Sequence, residues 1–394
     1  MRFDTPLMLA TTLLVATVTG CGSSSNDDGG NAGATQVGGD GGVAQVGGGA
    51  GSSSGGQSAG TGGVSGSHAD GGNASGIAGG GGGSGSVVPV QEHALACTER
   101  GACALGNSGQ LECWGNLPST WSIPEGPFVE LHASGPAVCA VRADRTVACF
   151  DAPGSGSTST ATLAPKGKVQ TLELGLGTMC GADDAGMPFC NSAYPGLAVP
   201  AAESFPQYSV GYEFACGRRA DGTLKCWGNA GAAACSGGIP AAGQLAPPTG
   251  SFASVASGVF SSCALDSSGA VSCWGAGKAG DDATASCGSS LYNFGQSTAP
   301  TGAFRALAVG ENHSCGIKTD GTLACWGAGT ADSDCPTGSV DCRQSLPPAG
   351  SFVQVSVGRV HSCAMSAERK VKCWGYPGAG ATGDGRLTPP AEFR

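Results

Sequence analysis

The chain has 394 residues, of which 72 are glycine and 20 are cysteine, so its length does not translate into the usual two or three domains. Only 12% of the residues are charged and 6% are aromatic, which is untypical of an ordinary enzyme surface or a helical bundle. A net charge of -10 argues against a nucleic-acid partner, because such a role needs clustered Lys and Arg to neutralise phosphates.

Residues 1–20 have the pattern of a targeting signal. Arg2 precedes an apolar run from Leu7 to Val18. This run is too short to cross about 30 Å of hydrocarbon, so it predicts a cleaved signal peptide. The small residues before Cys21 resemble the lipobox of bacterial lipoproteins. That resemblance implies that Cys21 carries a lipid anchor, and the residues after it favour the outer membrane. An ordinary secretory signal with a chance cysteine is the alternative.

Residues 21–86 form a glycine-rich segment. From 22 to 86 there are 27 glycines in 65 positions, with no Lys, Arg, Leu, Phe, Trp or Tyr. Such a composition cannot bury enough apolar area to offset its conformational entropy. We therefore expect a disordered tether, with a reach of about 40 to 50 Å, that holds the folded part away from a membrane.

Residues 87–394 contain one unit seven times. In each unit two cysteines stand ten positions apart, at Cys103 and Cys113, Cys139 and Cys149, Cys180 and Cys190, Cys216 and Cys226, Cys263 and Cys273, Cys315 and Cys325, and Cys363 and Cys373. The units recur every 36 to 52 residues, which indicates one repeat domain with loops of variable length.

Each pair of cysteines is predicted to face across a β-hairpin. In the fifth unit the loop would be Ser267, Ser268 and Gly269, with glycine supplying a positive φ. The register makes the cysteines a non-hydrogen-bonded pair with Cα atoms about 4.5 Å apart, which suits a disulfide. Arg145 and Arg369 replace this glycine, so two looser hairpins are expected.

Seven disulfides imply an exported, oxidising location. Seven metal sites are the alternative, but a spacing of ten is not that of zinc knuckles. Of the other cysteines, Cys97 occupies an apolar strand position and is predicted to be a buried thiol. Three pairings are open for the four loop cysteines; Cys335 with Cys342 and Cys235 with Cys287 is the preferred one.

The repeat resembles a known family. The string His313-Ser314-Cys315, followed by Gly321-Thr322-Leu323-Ala324-Cys325-Trp326-Gly327, is similar to the regulator of chromosome condensation repeat, and it recurs around Cys226, Cys273 and Cys373. Seven copies imply an all-β, seven-bladed propeller. Units two and three depart from the pattern, because Phe150 and Asn191 replace the tryptophan.

The family is functionally divided, so its fold alone does not give a function. Its nuclear members exchange nucleotide on a small GTPase and touch chromatin, a role that an acidic, exported chain does not suit. Other members are exported bacterial proteins, including an inhibitor of β-lactamases with the same blade number. The function that remains compatible with the resemblance is recognition of a partner by a ring of loops.

Most aromatic and titratable residues have structural interpretations. Trp114, Trp227, Trp274, Trp326 and Trp374 are expected to fill the spaces between blades rather than to form a ligand stripe. His313 and His361 are expected to pack or to form hydrogen bonds, although a role as bases or ligands is open. Glu311 and Asp320 lack a partnered nucleophile, so no acid-base catalysis is predicted. Asp332, Asp334 and Asp341 do not have the spacing of a known calcium loop. Neither a cofactor nor a metal is expected.

The longest loops are predicted at 229–250, 276–300 and 328–350, side by side on one face of the ring. Exposed aromatic residues rimmed by charges are typical of interface anchors, and tolerated surface insertions are the alternative. The candidate binding residues in these loops are Asp281, Asp282, Tyr292, Asn293, Phe294, Asp332, Asp334 and Arg343.

Two functions remain at this point. The first is a non-enzymatic cell-envelope module that binds a protein or a glycan. The second is an extracytoplasmic enzyme or enzyme inhibitor that acts on β-lactamases, the cell wall or polysaccharides.

Overall fold

The computed structural model describes residues 15–20, 72–77, 93–117, 122–151, 163–193, 197–200, 203–228, 243–278, 294–330, 342–378 and 383–394. Seven antiparallel sheets, each built on three consecutive strands, account for the folded part. Among these residues, one helical element has a defined start and end, a 3-10 turn at Ala391–Phe393. The predicted all-β propeller with seven blades is confirmed.

The blades follow one another in chain order, and each runs from an inner to a middle to an outer strand. Blade one is β3 (Leu95–Thr98), β4 (Gly101–Leu105) and β5 (Leu111–Gly115); blade two is β6 (Phe128–Ser134), β7 (Ala137–Arg142) and β8 (Val147–Asp151); blade three is β9 (Val169–Gly175), β10 (Thr178–Asp183) and β11 (Pro188–Ser192); and blade four is β12 (Gln207–Val210), β13 (Phe214–Arg218) and β14 (Leu224–Gly228).

The last three blades repeat this order. Blade five is β15 (Phe252–Ser257), β16 (Ser261–Asp266) and β17 (Val271–Gly275); blade six is β18 (Phe304–Val309), β19 (His313–Lys318) and β20 (Leu323–Gly327); and blade seven is β21 (Gln354–Val357), β22 (His361–Met365) and β23 (Val371–Gly375). Blades two and three are therefore complete, although they lack the tryptophan of the sequence pattern.

A disulfide joins the middle and outer strands of every blade. The seven ladder pairs predicted from the spacing of ten are all bonded, with Cα atoms 3.9 to 4.1 Å apart, somewhat closer than the expected 4.5 Å. The paired cysteines are direct register partners, for example Cys315 opposite Cys325. Disulfides of this number place the domain in an oxidising compartment outside the cytoplasm.

The hairpin loops have the predicted geometry. In blade five the amide of Gly269 donates to the Asp266 carbonyl at 3.1 Å, and the amide of Asp266 donates to the Ala270 carbonyl at 3.0 Å. Gly269 has φ +83°, as a three-residue loop requires. The Asp266 carboxylate accepts the Ser268 amide at 2.8 Å and so caps the turn.

The expectation that two hairpins are looser is wrong. Arg145 and Arg369 adopt φ of 70° and 62° and make the same turn hydrogen bonds as glycine. Their guanidinium groups reach the next blade: Arg145 Nε donates to the Val169 carbonyl at 2.8 Å, and Arg369 donates to the Leu105 carbonyl. These contacts between blades offset the cost of a left-handed arginine.

The core lies between neighbouring blades. Trp326 of blade six packs on Ala256, Cys263 and Leu265 of blade five. The other four tryptophans are placed in the same way, and all five are at most 8% exposed. The prediction that they fill the spaces between blades is confirmed.

The ring closes where blade seven meets blade one. Trp114 packs with Cys363 and Met365 of blade seven. Its indole N–H donates to the carbonyl of Arg386 at 3.1 Å, and its ring lies 6.2 Å from that of Phe393. Residues 383–394 therefore accept the indole N–H of Trp114 in blade one, as the loops between blades accept the indole N–H groups of Trp274, Trp326 and Trp374.

Two N-terminal strands extend the sheet of blade six. β1 (Val15–Gly20) pairs with β2 (Gly72–Ile77), and β2 pairs with residues 307–309 of the inner strand β18. An inner strand offers unpaired backbone groups along its open edge, which is where this pairing forms. Cys21 and most of the tether lie outside the described residues.

Within the described ranges, no helix is both long enough and apolar enough to cross a membrane.

Candidate functional site

The bases of the long loops share one geometry. After blades four, five, six and seven, a turn begins at Gly243, Gly295, Arg343 and Gly385, and in each the residue three positions later donates its amide to this residue's carbonyl at 2.9 to 3.0 Å. The next carbonyl in each turn accepts a tryptophan indole N–H from the following blade at 2.8 to 3.1 Å, with Trp374 and Gln344 as one pair. The loops therefore leave the ring from equivalent positions.

Two of the predicted binding residues lie at these bases. Phe294 is half-buried, and its amide donates to the Gln296 side-chain oxygen at 2.9 Å. Arg343 is exposed. The other six candidates, Asp281, Asp282, Tyr292, Asn293, Asp332 and Asp334, lie outside the described residues.

Arg343 has an unusual backbone. Its φ is 64°, whereas the three equivalent turns use glycine at φ between 79° and 83°. A left-handed arginine costs about 1 kcal/mol relative to glycine, and strained residues of this kind cluster at functional sites. Arg145 and Arg369 have the same backbone conformation in their hairpins, so the positive φ of Arg343 does not by itself mark a binding residue.

Cys342 precedes this turn and is almost fully buried, with 1% exposure. It is disulfide-bonded, and its amide donates to the Gln344 side-chain oxygen at 2.6 Å. Its predicted partner Cys335 lies outside the described residues, as do Cys235 and Cys287.

A cluster of ionisable side chains joins blades one, two and three, and sequence reasoning missed it. The rings of His93 and His132 lie 4.7 Å apart. The His132 imidazole stands between two carboxylates, with Nε2 3.7 Å from Glu130 and Nδ1 3.9 Å from Glu173. Arg145 forms an ion pair with Glu130.

The signal that could have found this cluster is positional. His132 and Glu173 occupy the inner-strand position opposite the first ladder cysteine. The other five blades have only alanine or serine there, at Ala96, Ser209, Ala256, Ala308 and Ser356. A histidine and a glutamate in two adjacent blades therefore stand out once the strands are aligned.

The cluster is largely buried. His93, His132 and Glu173 are at most 9% exposed. Burial, aided by the neighbouring His132, lowers the pKa of His93 to about 3. Burial opposes ionisation of Glu130, but His132, His93 and Arg145 outweigh it and lower the pKa of Glu130 to about 2. The Arg145–Glu130 ion pair lies within blade two, and His132 brings this blade into contact with His93 and with Glu173 of blade three.

The two histidines of the repeat motif also connect blades. His313 Nε2 lies 2.7 Å from the Ser362 hydroxyl of blade seven, and His361 Nε2 donates to the Gly101 carbonyl of blade one at 3.0 Å. Both rings are fully buried, and burial lowers the pKa of each to about 3. The expectation that they form hydrogen bonds is confirmed.

The two acidic residues considered for catalysis already have partners in the structure. Glu311 is buried with its carboxylate 3.4 Å from Arg359, and Asp320 caps its hairpin by accepting the Thr322 amide at 2.8 Å.

Comparison with known proteins agrees with this architecture. Residues 304–331 and 352–381, which contain the strands of blades six and seven, match the model of the regulator of chromosome condensation (RCC1) repeat. No curated protein sequence matches the chain.

Solved structures with a similar fold include plant receptor ectodomains. The CRINKLY WD40 ectodomain of the Arabidopsis thaliana receptor kinase ACR4 is 19% identical over 75% of this chain and 97% of its own, with a TM-score of 0.54. The entire ectodomain of the Physcomitrella patens receptor kinase CR4 is 19% identical over 74% of this chain and 75% of its own, with a TM-score of 0.55. At these identities the likeness concerns the fold. The resemblance seen in the sequence is confirmed, since blades six and seven match the RCC1 repeat and the chain folds as a propeller of seven blades.

Proposed function

We propose that this chain is a non-enzymatic lipoprotein of the cell envelope whose propeller presents a loop face to a protein or glycan partner. The observation that carries the proposal is the equivalence of the turns at Gly243, Gly295 and Arg343. Three long insertions end in these turns, which have equivalent positions in successive blades. Adjacent loops on a rigid ring are a common basis for recognition.

The anchor follows from the sequence. A lipid on Cys21, with a second acyl chain, would hold the mature chain at a membrane, because each buried methylene contributes about 0.8 kcal/mol. The glycine-rich segment would then place the propeller away from the surface. The outer membrane is the proposed site.

Binding is favoured over catalysis by where the ionisable groups lie. His93, His132, His313 and His361 are buried and face neighbouring blades rather than a substrate. Two proteins with a similar fold are ectodomains of receptor kinases, which is compatible with a role in extracellular contact.

The loop face is tested by alanine at Tyr292 and Phe294 together. We expect the variant to lose capture of the partner from envelope extract or from a glycan array, by at least tenfold, because large aromatics dominate interface energies. Met187→Ala is the matched control, since Met187 is 63% exposed but lies in the β10–β11 hairpin. Both variants should melt at the wild-type temperature.

Assays with the same protein separate the alternative. Turnover of a glycan, or inhibition in a panel of β-lactamases, would replace binding alone by an enzyme or inhibitor function. The anchor is tested separately with Cys21→Ser, which should move the protein from the membrane fraction to the soluble fraction and end incorporation of labelled fatty acid.

A further inference from the structure

A thiol is buried at the junction that closes the ring. Cys97 lies in β3, the inner strand of blade one, and is the free cysteine among the described residues. Its amide donates to the Ser356 hydroxyl of blade seven at 2.9 Å, and its Sγ lies 3.5 Å from the Ser356 carbonyl. The side chain is fully buried. The thiol therefore faces the last blade directly.

A disulfide and an imidazole stand beside this thiol. The Sγ atoms of Cys97 and Cys363 and a ring nitrogen of His361 all lie within 4.8 Å of one another. Cys363 is bonded to Cys373 within blade seven. A nucleophilic thiol and an electrophilic disulfide sulfur thus meet in one buried group beside an imidazole, and these two sulfurs are the partners of thiol–disulfide exchange.

The hydrogen bonding of His361 fixes its ring beside the two sulfur atoms. Nε2 donates to the Gly101 carbonyl, so in the neutral ring the lone pair is on Nδ1. Burial lowers the pKa of His361 to about 3, while Arg386 and Asp384 act on the ring with opposite signs. The ring is therefore neutral at and above pH 7, and the thiol proton must go to another base.

We propose that Cys97 exchanges with the Cys363–Cys373 disulfide and so locks the ring between its first and last blades. The Cys97 thiol gives its proton to hydroxide, which becomes water, and its sulfur attacks Sγ of Cys363. The Cys97–Cys363 bond forms as the Cys363–Cys373 bond breaks. Cys373 leaves as a thiolate and takes up a proton from water. One thiol and one disulfide are present before and after, so no oxidant is needed.

The exchange changes what holds the junction together. In the structure, blades one and seven are joined by packing and by the hydrogen bonds of Cys97, His361 and Trp114. A Cys97–Cys363 bond would join them covalently, and the free thiol would move to the half-buried Cys373. Burial raises the pKa of Cys97 to about 12, so the thiolate fraction, and with it the exchange rate, rises about tenfold per pH unit through neutral pH.

The test is a disulfide map of the full chain without added thiol. The oxidised protein is incubated at pH 7 and at pH 9, quenched in acid, treated with N-ethylmaleimide, digested with pepsin and analysed by mass spectrometry. We expect a Cys97–Cys363 bridge together with a modified Cys373, formed about 100-fold faster at pH 9. A map that keeps Cys363 on Cys373 and Cys97 free after incubation at pH 9 would overturn the proposal.

Three variants test the individual groups of the exchange. Cys97→Val is the matched control, because Val210, Val309 and Val357 occupy the same strand position in other blades. It should fold and show no modification of Cys373. His361→Gln keeps a donor for Gly101, and it should leave the tenfold rise of the exchange rate per pH unit unchanged, because the thiolate forms without the imidazole.

The third variant removes the leaving group. Cys373→Ser, refolded with oxidised glutathione, should form the Cys97–Cys363 bond with neither thiol modified. If both thiols react with N-ethylmaleimide in a variant whose circular dichroism is native, the two sulfurs cannot meet and the exchange is excluded.

Discussion

Single positions with positive φ set how closely the blades approach. A Cβ on Gly269 would lie 2.5 Å from the Phe304 carbonyl of the next blade. The Gly269 carbonyl in turn accepts the Phe304 amide at 2.8 Å. The glycine thus supplies both a turn conformation and a contact between blades. The sequence predicted the turn, but it could not show the contact, because the two residues are 35 positions apart.

A glycine series separates these two effects. Gly269→Ala should lower the free energy of unfolding by about 2 to 3 kcal/mol, because it adds a clash to the left-handed strain. Gly243 has φ +80°, but a Cβ there would meet no atom within 4 Å. Gly243→Ala should therefore lower the free energy of unfolding by about 1 kcal/mol, from backbone strain alone. Gly167→Ala, with no contact and no positive φ, should be within about 0.5 kcal/mol of wild type. Urea titrations measure all three, and equal losses would refute the account.

At the scale of the element, a blade still forms without the tryptophan of the repeat motif if another side chain makes the contact that the tryptophan would make. Asn191 stands in the tryptophan position of blade three, and its side-chain amide donates to the Leu163 carbonyl at 2.8 Å, as the indoles do to their loops. Phe150 fills the same place in blade two by packing on the core of blade one. Sequence comparison made these two blades doubtful because it compares residue types, whereas the contacts that the replacing side chains make are visible only in the structure.

The contribution of the indole hydrogen bond is testable with two tryptophans. Trp374 and Trp227 are both 8% exposed, but Trp374 donates to the Gln344 carbonyl whereas the Trp227 indole N–H has no acceptor among the described residues. Trp374→Phe should therefore cost about 1 to 2 kcal/mol more than Trp227→Phe in equilibrium unfolding. Equal costs would mean that burial alone explains the conserved geometry of the loop bases.

For the whole molecule, the spacing of cysteines was sufficient to predict seven hairpins and their disulfides, and the family resemblance implied the ring. The closing contacts at Trp114, Cys97 and His361 were not predictable, because they join blade one to residues more than 250 positions away. For the cluster around His132, aligned strands show an unusual histidine and glutamate, but they do not show that these residues meet His93. Local pattern specified each blade, and tertiary packing specified how the blades meet.

Three neutral histidines make the whole ring sensitive to acid. His93, His313 and His361 have a pKa of about 3 in the folded state, against 6.5 in an unfolded chain. The unfolded state therefore binds more protons below pH 6.5, so their contribution is complete above that pH and is lost as the pH falls towards 3. Each histidine adds a slope of up to about 1.4 kcal/mol per pH unit.

Urea midpoints at pH 7, 6 and 5 measure this slope. They should fall steadily, and His313→Gln should make the decline shallower while keeping a side chain that can bond to Ser362. A midpoint that is the same at pH 7 and pH 5 would show that the histidines are not held neutral by burial.

The central claim is that each blade is one hairpin closed by its own pair of cysteines, with the pairs arranged in a ring. A non-reducing peptide map, made in acid from native protein, tests it most directly. We predict bridges between cysteines ten positions apart in blades one to six, with Cys363 bonded to Cys373 or, after exchange, to Cys97. Free thiols at those ladder positions, or bridges that join different blades among the first six, would contradict the account.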